Sequence, residues 1–387
     1  MGQRHAQYPL LVLVSVLVAA SVAIAHEGDA PPVEVGGAIG VNLFYGDFDD
    51  ARGEGVGVAG FDLFRLNADL DYQNVIGMFE YRWFESYSML HTAWLGYDWG
   101  RSGTLRGGIA RVPFGPTTNG VSNSYFLDQH YYVGLPDDMD LGIRWTKAFA
   151  KLLLDAGYYP RSEFQTHGDS LESARYGFDV VRWRTDAGGE HGFEERHQFN
   201  LRVIYVVAGG AEVGASLQYG LLQGSNVGDD DSGDHYALSG HLKNALGPFT
   251  LYSQLTYYVY DITDDMPWGS GDLIPMGAYD EATLTASEGV IPALSVRYDG
   301  LDATGVSWLD DVTPYVEWSS IVKPADGFND SVLVTMGAAW TLYGALYVYS
   351  ELVFSDGSFF VGSNGDFGAN DNNAWEWLLN FNFSYEF

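Results

Sequence analysis

Five arginines, Arg65, Arg82, Arg106, Arg144 and Arg202, sit at strand-like positions between apolar neighbours such as Phe64 and Leu66, Tyr81 and Trp83, or Leu201 and Val203. Asp69 and Glu80 occupy equivalent positions. A guanidinium stays charged at any ordinary pH, so these groups cannot shuttle protons, but they can orient dipolar and anionic solutes. A long break at 114–139 supplies opposing charge in Asp128, Asp137 and Asp138, with Tyr131 and Tyr132 between them. Arginines on one side of a channel and loop acids on the other would set up a transverse field that orders water and solutes. The alternative is that each arginine pairs with a wall acid such as Asp69 or Glu80, and both readings stand at this stage. Parity puts Arg106 and Arg111 on opposite faces of one strand, with Arg111 near the rim where it reaches water.

Bond-making chemistry has weaker support. The chain has no cysteine, which excludes thiolate nucleophiles and thiolate metal sites. His91 and His130 have Ser and Asp nearby, but no spacing specifies a triad, so no catalytic residue is expected. The run from Asp229 to Asp234 lacks the Gly at position six of a calcium loop, so it reads as a solvated loop, with a loose divalent-cation site as the alternative. No cofactor and no structural metal are expected.

The elements that carry these charges have a period of two. In the last stretch Trp375, Trp377, Leu379, Phe381, Phe383, Tyr385 and Phe387 share one face, and Glu376, Asn380, Asn382, Ser384 and Glu386 share the other. Only Leu378 breaks the pattern. One face suits lipid and the other water, the inverse of a soluble barrel. A lipid-facing Arg at mid-bilayer costs roughly 2–4 kcal/mol, so the strand charges must face a lumen. The final Phe387 reads as an assembly signal.

Residues 1–25 read as a secretory signal: Arg4, an apolar run from Leu10 to Ile24, then Ala23 and Ala25 as a small-x-small cleavage site. Residues 26–32 read as a short periplasmic lead-in and 33–387 as a barrel. A net charge of −32 disfavours nucleic acid, which needs a basic footprint. Aromatic residues make up 15% of the chain, enough for interfacial girdles.

Strand counting follows from alternating long and short breaks. Long breaks fall at 47–58, 114–139, 224–234, 261–282, 323–330 and 355–373, with a tight outer one near 86–88. Short ones fall near 73–74, 100–103, 208–210, 246–248 and 343–344, and 299–311 takes the place of one although it is long for a periplasmic turn. The count is 16 if Ala174–Arg184 is an excursion within one outer loop, and 18 if it is a wall strand. The predicted fold is therefore all-β: a transmembrane antiparallel barrel whose long loops lie outside and whose third loop folds into the lumen. The last strand should pair with the segment near Val33–Tyr45, because hydrocarbon tolerates no open edge.

Leu105-Arg106-Gly107-Gly108-Ile109-Ala110-Arg111-Val112-Pro113-Phe114-Gly115 and Asp140-Leu141-Gly142-Ile143-Arg144-Trp145 resemble the strands that flank the constriction loop in phosphate-selective porins of the O/P type. The resemblance implies a 16-stranded trimeric barrel whose third loop narrows the pore. Its expected partners are membrane lipid and lipopolysaccharide, the barrel-assembly machinery and small solutes. Gly36, Gly37, Ala38 and Gly40 would permit close approach between protomers. The function expected is passive diffusion of small hydrophilic solutes and ions across the Gram-negative outer membrane. The alternatives are a phosphate or anion channel and a non-conducting structural or adhesin barrel.

Overall fold

The computed structural model describes residues 32–48, 57–184, 190–224, 232–263, 266–268, 270–301, 305–362 and 367–387. The signal segment, almost all of the lead-in, and Asp49, Asp50, Asp229–Asp231, Asp264 and Asp265 lie outside them. In chain order the strands are β1 (Val33–Gly46), β2 (Val58–Tyr72), β3 (Val75–Trp83), β4 (Ser88–Asp98), β5 (Thr104–Arg111), β6 (Met139–Ala148), β7 (Leu152–Ser162), β8 (Asp179–Val180), β9 (Arg182–Arg184), β10 (Glu190–Val206), β11 (Glu212–Gly224), β12 (Ser232–Leu246), β13 (Phe249–Asp261), β14 (Leu273–Ala278), β15 (Glu281–Ala286), β16 (Glu288–Tyr298), β17 (Leu309–Ile321), β18 (Ser331–Leu342), β19 (Leu346–Asp356) and β20 (Trp375–Glu386). Sixteen of them form one closed antiparallel wall.

Closure is made by β1 and β20, whose register runs from Ala38 opposite Glu386 to Gly46 opposite Leu378. Phe387 extends this ladder: its carbonyl accepts from Gly37 N at 2.9 Å, and its own N–H donates to Gly37 O at 3.0 Å. Among the described residues the wall has no unpaired edge strand, as hydrocarbon requires. The ambiguous stretch Ala174–Arg184 is not a wall strand. It holds β8, which joins β14 and β15 in a small separate sheet, and β9, which pairs with the first residues of β10. That leaves 16 wall strands and removes the alternative of 18.

The exterior carries exposed aliphatic and aromatic side chains, among them Leu95 at 62%, Leu238 at 60% and Leu255 at 57% exposure. Tyr72, Trp99, Tyr205, Trp308, Tyr343, Tyr385 and Phe387 cluster at the short-turn end, where an interfacial girdle belongs. Such a surface is stable only in a bilayer, and the outer membrane is the location of barrels built this way.

The interior has two zones. At the long-loop end the strands turn apolar residues inward, including Phe193, Leu222, Ile291, Ile321, Leu333, Val353 and Leu378. Loop side chains pack on this ring: Phe126, Tyr131, Tyr132 and Val133 from 112–138, Tyr176 and Phe178 from 163–178, and Phe359, Val361 and Phe367 from 357–374. This explains the break in the last strand's alternation, because Leu378 is 2% exposed within that core. Further along the strands the inward face is polar.

The small residues of β1 do not form an outer contact patch. Ala38 is 1% exposed, and a Cβ on Gly36 or Gly40 would meet Asn67 or Asp62. These positions share a face with Asn42, which bonds to the inward loop at Tyr125 Oη. Only Gly37 takes the other parity, and the ring of Phe387 lies over it.

Candidate functional site

The seven expected wall residues stand at the inward register positions, and their partners are specific. Arg65 Nη2 meets Glu386 Oε1 at 2.9 Å, and Arg82 Nε donates to Glu80 Oε1 at 2.7 Å. Arg144 Nη2 and Arg202 Nη2 grip the two oxygens of Asp155 at 2.7 and 2.8 Å, and Thr146 Oγ1 adds a third bond at 2.6 Å. Arg106 stacks its guanidinium 4.5 Å above the Trp94 ring. Asp69 is exposed and accepts from Asn67 Nδ2 at 3.3 Å. Four of the five wall arginines thus pair with wall acids, and their opposition to the loop acids is not what the structure holds.

The loop acids have other partners. Asp128 staples the loop to itself, accepting from Val121 N at 3.0 Å and from His130 N and Nδ1 at 2.8 Å. Asp137 accepts from Arg111 Nε and from Tyr176 Oη, so Arg111 is tied to the loop rather than left to reach water at the rim. Burial raises the Asp137 carboxyl above its ordinary range, and Arg111 pulls it back. Asp138 faces other carboxylates, described below. Tyr131 Oη donates to Tyr176 O at 2.6 Å and Tyr132 Oη to Phe126 O. Burial raises both phenols, so they remain neutral donors.

The loop's other contacts reach across the interior. Gly115 N donates to Ser216 Oγ on β11 at 3.0 Å. Ser122 Oγ, Asn123 N and Asn123 Nδ2 all donate to Glu317 on β17, at 2.6, 2.5 and 2.9 Å. Tyr125 N donates to Glu351 Oε1 on β19 at 3.0 Å, and Tyr125 Oη to Asp62 on β2 at 2.8 Å. A loop that touches β2, β11, β17 and β19 lies within the ring of strands.

Asp62, Glu317 and Glu351, like Asp155, are residues that sequence reasoning missed. Glu317 stands between Val316 and Trp318, so its inward position was readable by alternation. Asp62 was hidden, because β2 holds an extra residue between Phe61 and Phe64. That bulge lets Asp62 and Arg65 share a face although they are three apart. Around the ring, β17 and β19 lie across the lumen from β5, β6 and β10, whereas β2 is only three strands from β5. A transverse arrangement therefore exists, but its negative side is the wall, with the loop docked on it.

One constellation resembles a catalytic relay. His130 Nδ1 meets Asp128 Oδ1 at 2.8 Å, and its Nε2 meets Thr256 Oγ1 at 2.9 Å. Thr256 and His130 are both 0% exposed, and Thr256 Oγ1 donates onward to Ser239 Oγ at 2.8 Å. A nucleophile must meet its substrate; this hydroxyl is sealed and serves as a loop anchor.

The chain superimposes on solved outer-membrane proteins. OmpT of Vibrio cholerae, in its trimer form, matches with a TM-score of 0.58 at 14% identity, covering 92% of this chain and 99% of that one. The outer membrane channel DcaP of Acinetobacter baumannii matches with 0.57 at 12% identity, covering 92% and 97%. An anion-selective porin from Comamonas acidovorans matches with 0.53 at 14%, covering 92% and 99%. The fold is that of an outer-membrane porin. No protein-family model matches the chain, and no curated protein matches it. At these identities the likeness bears on the porin fold alone, and the porin-like barrel owes its side-chain chemistry to its own residues.

Proposed function

We propose that the protein is a porin: a water-filled outer-membrane pore for passive diffusion of small hydrophilic solutes and ions. The observation that carries this reading is the lumen's charge layout. Arg144 and Arg202 share one carboxylate, Asp155, on one side with Arg106 on the neighbouring strand, and Glu317 and Glu351 hold the inward loop on the other. A barrel meant only as a scaffold has no need of opposed charges inside. The seven wall residues are assigned to the pore lining and the 112–138 loop to its constriction. Small solutes are the cargo; lipid, lipopolysaccharide and the assembly machinery are the partners. A homotrimer is the assembly, as the trimer form of the Vibrio protein supports. Residues 1–25 are the export signal.

The phosphate-selective reading fits less well. The chain has four lysines, Lys147, Lys151, Lys243 and Lys323, and most wall arginines are already neutralised. The acidic total favours cations at the mouth, where charges are screened beyond about 8 Å at physiological salt. A cation preference in dilute salt that shrinks as salt rises follows. The non-conducting alternative draws on the apolar packing of loops at the outer end. Purified protein in a planar bilayer decides between them. Discrete conductance steps support the pore; a folded, inserted protein with no conductance refutes it.

A further inference from the structure

Five carboxylates meet beneath the third and fourth outer loops. Asp138 closes the inward loop, Asp140 opens β6, Glu163 follows β7, Asp179 lies in β8, and Glu195 is near the outer end of β10. None is more than 2% exposed. Carboxylate oxygens of Asp138, Asp140 and Glu195 lie within 4.8 Å of one another, as do those of Asp140, Glu163 and Asp179. Among the described residues, the cation paired with this group is Arg175, whose Nη1 is 2.5 Å from Asp179 Oδ2 and 3.7 Å from Glu163 Oε2. Five buried carboxyl groups facing one guanidinium cannot all ionise without a further cation among them.

Hydrogen bonding satisfies only part of the group. Gly177 N donates to Glu163 Oε1 at 2.7 Å, Val180 N to Asp179 Oδ1 at 2.6 Å, and Gln198 Nε2 to Asp140 Oδ2 at 2.8 Å. Asp138 Oδ1, Asp140 Oδ1 and Glu163 Oε2 have no hydrogen bond, and Glu195 has only the neighbouring carboxyl of Asp179 to bond with. A neutral group adds an independent sign. Gln198, 1% exposed and anchored to Asp140 by its amide nitrogen, has an amide oxygen that also lacks a donor. An amide oxygen is not protonated at ordinary pH, so it requires a donor or a cation. Gly177 keeps the backbone clear: a Cβ there would fall 2.6 Å from Asp138 Oδ1 and 2.7 Å from Glu163 Oε1.

The donor set is oxygen-rich, anionic and irregular. Calcium accepts six to eight oxygens at about 2.3–2.6 Å from carboxylates and amide carbonyls, with loose geometry. Magnesium demands a near-regular octahedron and keeps its water. His235 Nδ1, 3.5 Å from Glu195 Oε1, stands at the edge of the group, and its ring stacks on Tyr260. We propose that Asp138, Asp140, Glu163, Asp179 and Glu195, with Gln198, form a buried calcium site that ties the inward loop and the fourth outer loop to β6 and β10. A ligand set drawn from separate segments couples ion binding to loop ordering. The site stands whether or not the barrel conducts.

The test is calorimetric titration of calcium chloride into full-length folded protein stripped with EGTA, its fold checked by heat-modifiable gel mobility. One calcium per chain is expected, together with greater protease resistance of residues 163–184. Glu195→Gln and Asp140→Asn should each weaken binding on the order of tenfold or more. Magnesium should bind on the order of tenfold more weakly than calcium. No saturable calcium uptake by the wild type overturns the proposal. Uptake unchanged in both variants also overturns it and places the ion elsewhere, for instance on the 229–231 acidic run. If Asp140→Asn fails to fold, the near-isosteric Glu195→Gln alone decides.

Discussion

The two sides of the lumen handle buried charge in opposite ways. On β6 and β10, two guanidiniums grip one carboxylate and reach the carbonyls of Arg111 and Gly115 at 3.4 Å, while Arg106 on β5 stacks on Trp94. On β17, β19 and β2, carboxylates are held by neutral donors. Glu317 is bonded by Ser122, Asn123 and Ser295, and Glu351 by Tyr125 N, Tyr315 Oη and Asn380 Nδ2. Hydroxyls and amides satisfy a carboxylate's lone pairs without cancelling its charge, whereas a guanidinium does both. The acidic side can therefore anchor the loop without a paired guanidinium, while the arginine side keeps its excess positive charge clear of the loop.

The comparison breaks most severely if the anchor is removed. Glu317→Ala combined with Glu351→Ala leaves the loop donors without acceptors and should cost about 2–4 kcal/mol of loop docking. The expected readouts are rapid cleavage between 119 and 126 by added protease and noisy, enlarged single-channel currents. Quiet currents and a resistant loop in the double variant would show that apolar packing, not the acids, holds it. Next in size is Asp155→Asn, which strips the shared counter-ion from Arg144 and Arg202. The reversal potential in a salt gradient should move toward anions. No movement would mean that these arginines do not face the permeating ions.

The scaffold was far more legible than the docking. A period of two, a terminal aromatic strand and alternating break lengths yield the barrel and its 16 strands, because lipid on one face and water on the other leave alternation no freedom. Alternation also places Arg144 and Arg202 inward. It cannot say what they meet, since Asp155 reaches them through strand register. Asp62 was lost to a one-residue bulge, and Leu378 looked like an error until the apolar ring at the outer end gave it a place. The glycines of β1 suggested an outer contact but make room inside for Asp62 and Asn67. The acids beneath the loops come from four separate stretches, and only the fold brings them together.

A finer probe of the arginine side is Arg144→Ala. Arg202 still holds Asp155 in that variant, so the wall keeps its shape and loses one charge. The reversal potential should shift toward cations, by about as much as Asp155→Asn moves it toward anions, because each variant changes the wall by one unit of charge. No shift would mean that Arg144 does not face the permeating ions.

The smallest expected effect on the lumen lies at the outer end of the acidic side. Lys323 follows β17, is 6% exposed, and donates from Nζ to Phe367 O at 2.8 Å. Burial lowers its amine from 10.5 to about 7, against the pull of Asp330 and Asp356. A lysine depressed in the folded state releases its proton there first. Between pH 7 and about 10.5 the unfolded chain holds more protons, so stability rises with pH across that window. Below it the burial penalty is fully present. The slope for one proton is about 1 kcal/mol per pH unit. Hydrogen-exchange protection of residues 367–370, corrected for intrinsic rates, should therefore grow from pH 7 to pH 10 in the wild type. Lys323→Met should flatten that rise, since no proton is left to release. A rise that persists in Lys323→Met would assign the pH dependence to another group and leave the lysine as a packing element over the Phe367 ring.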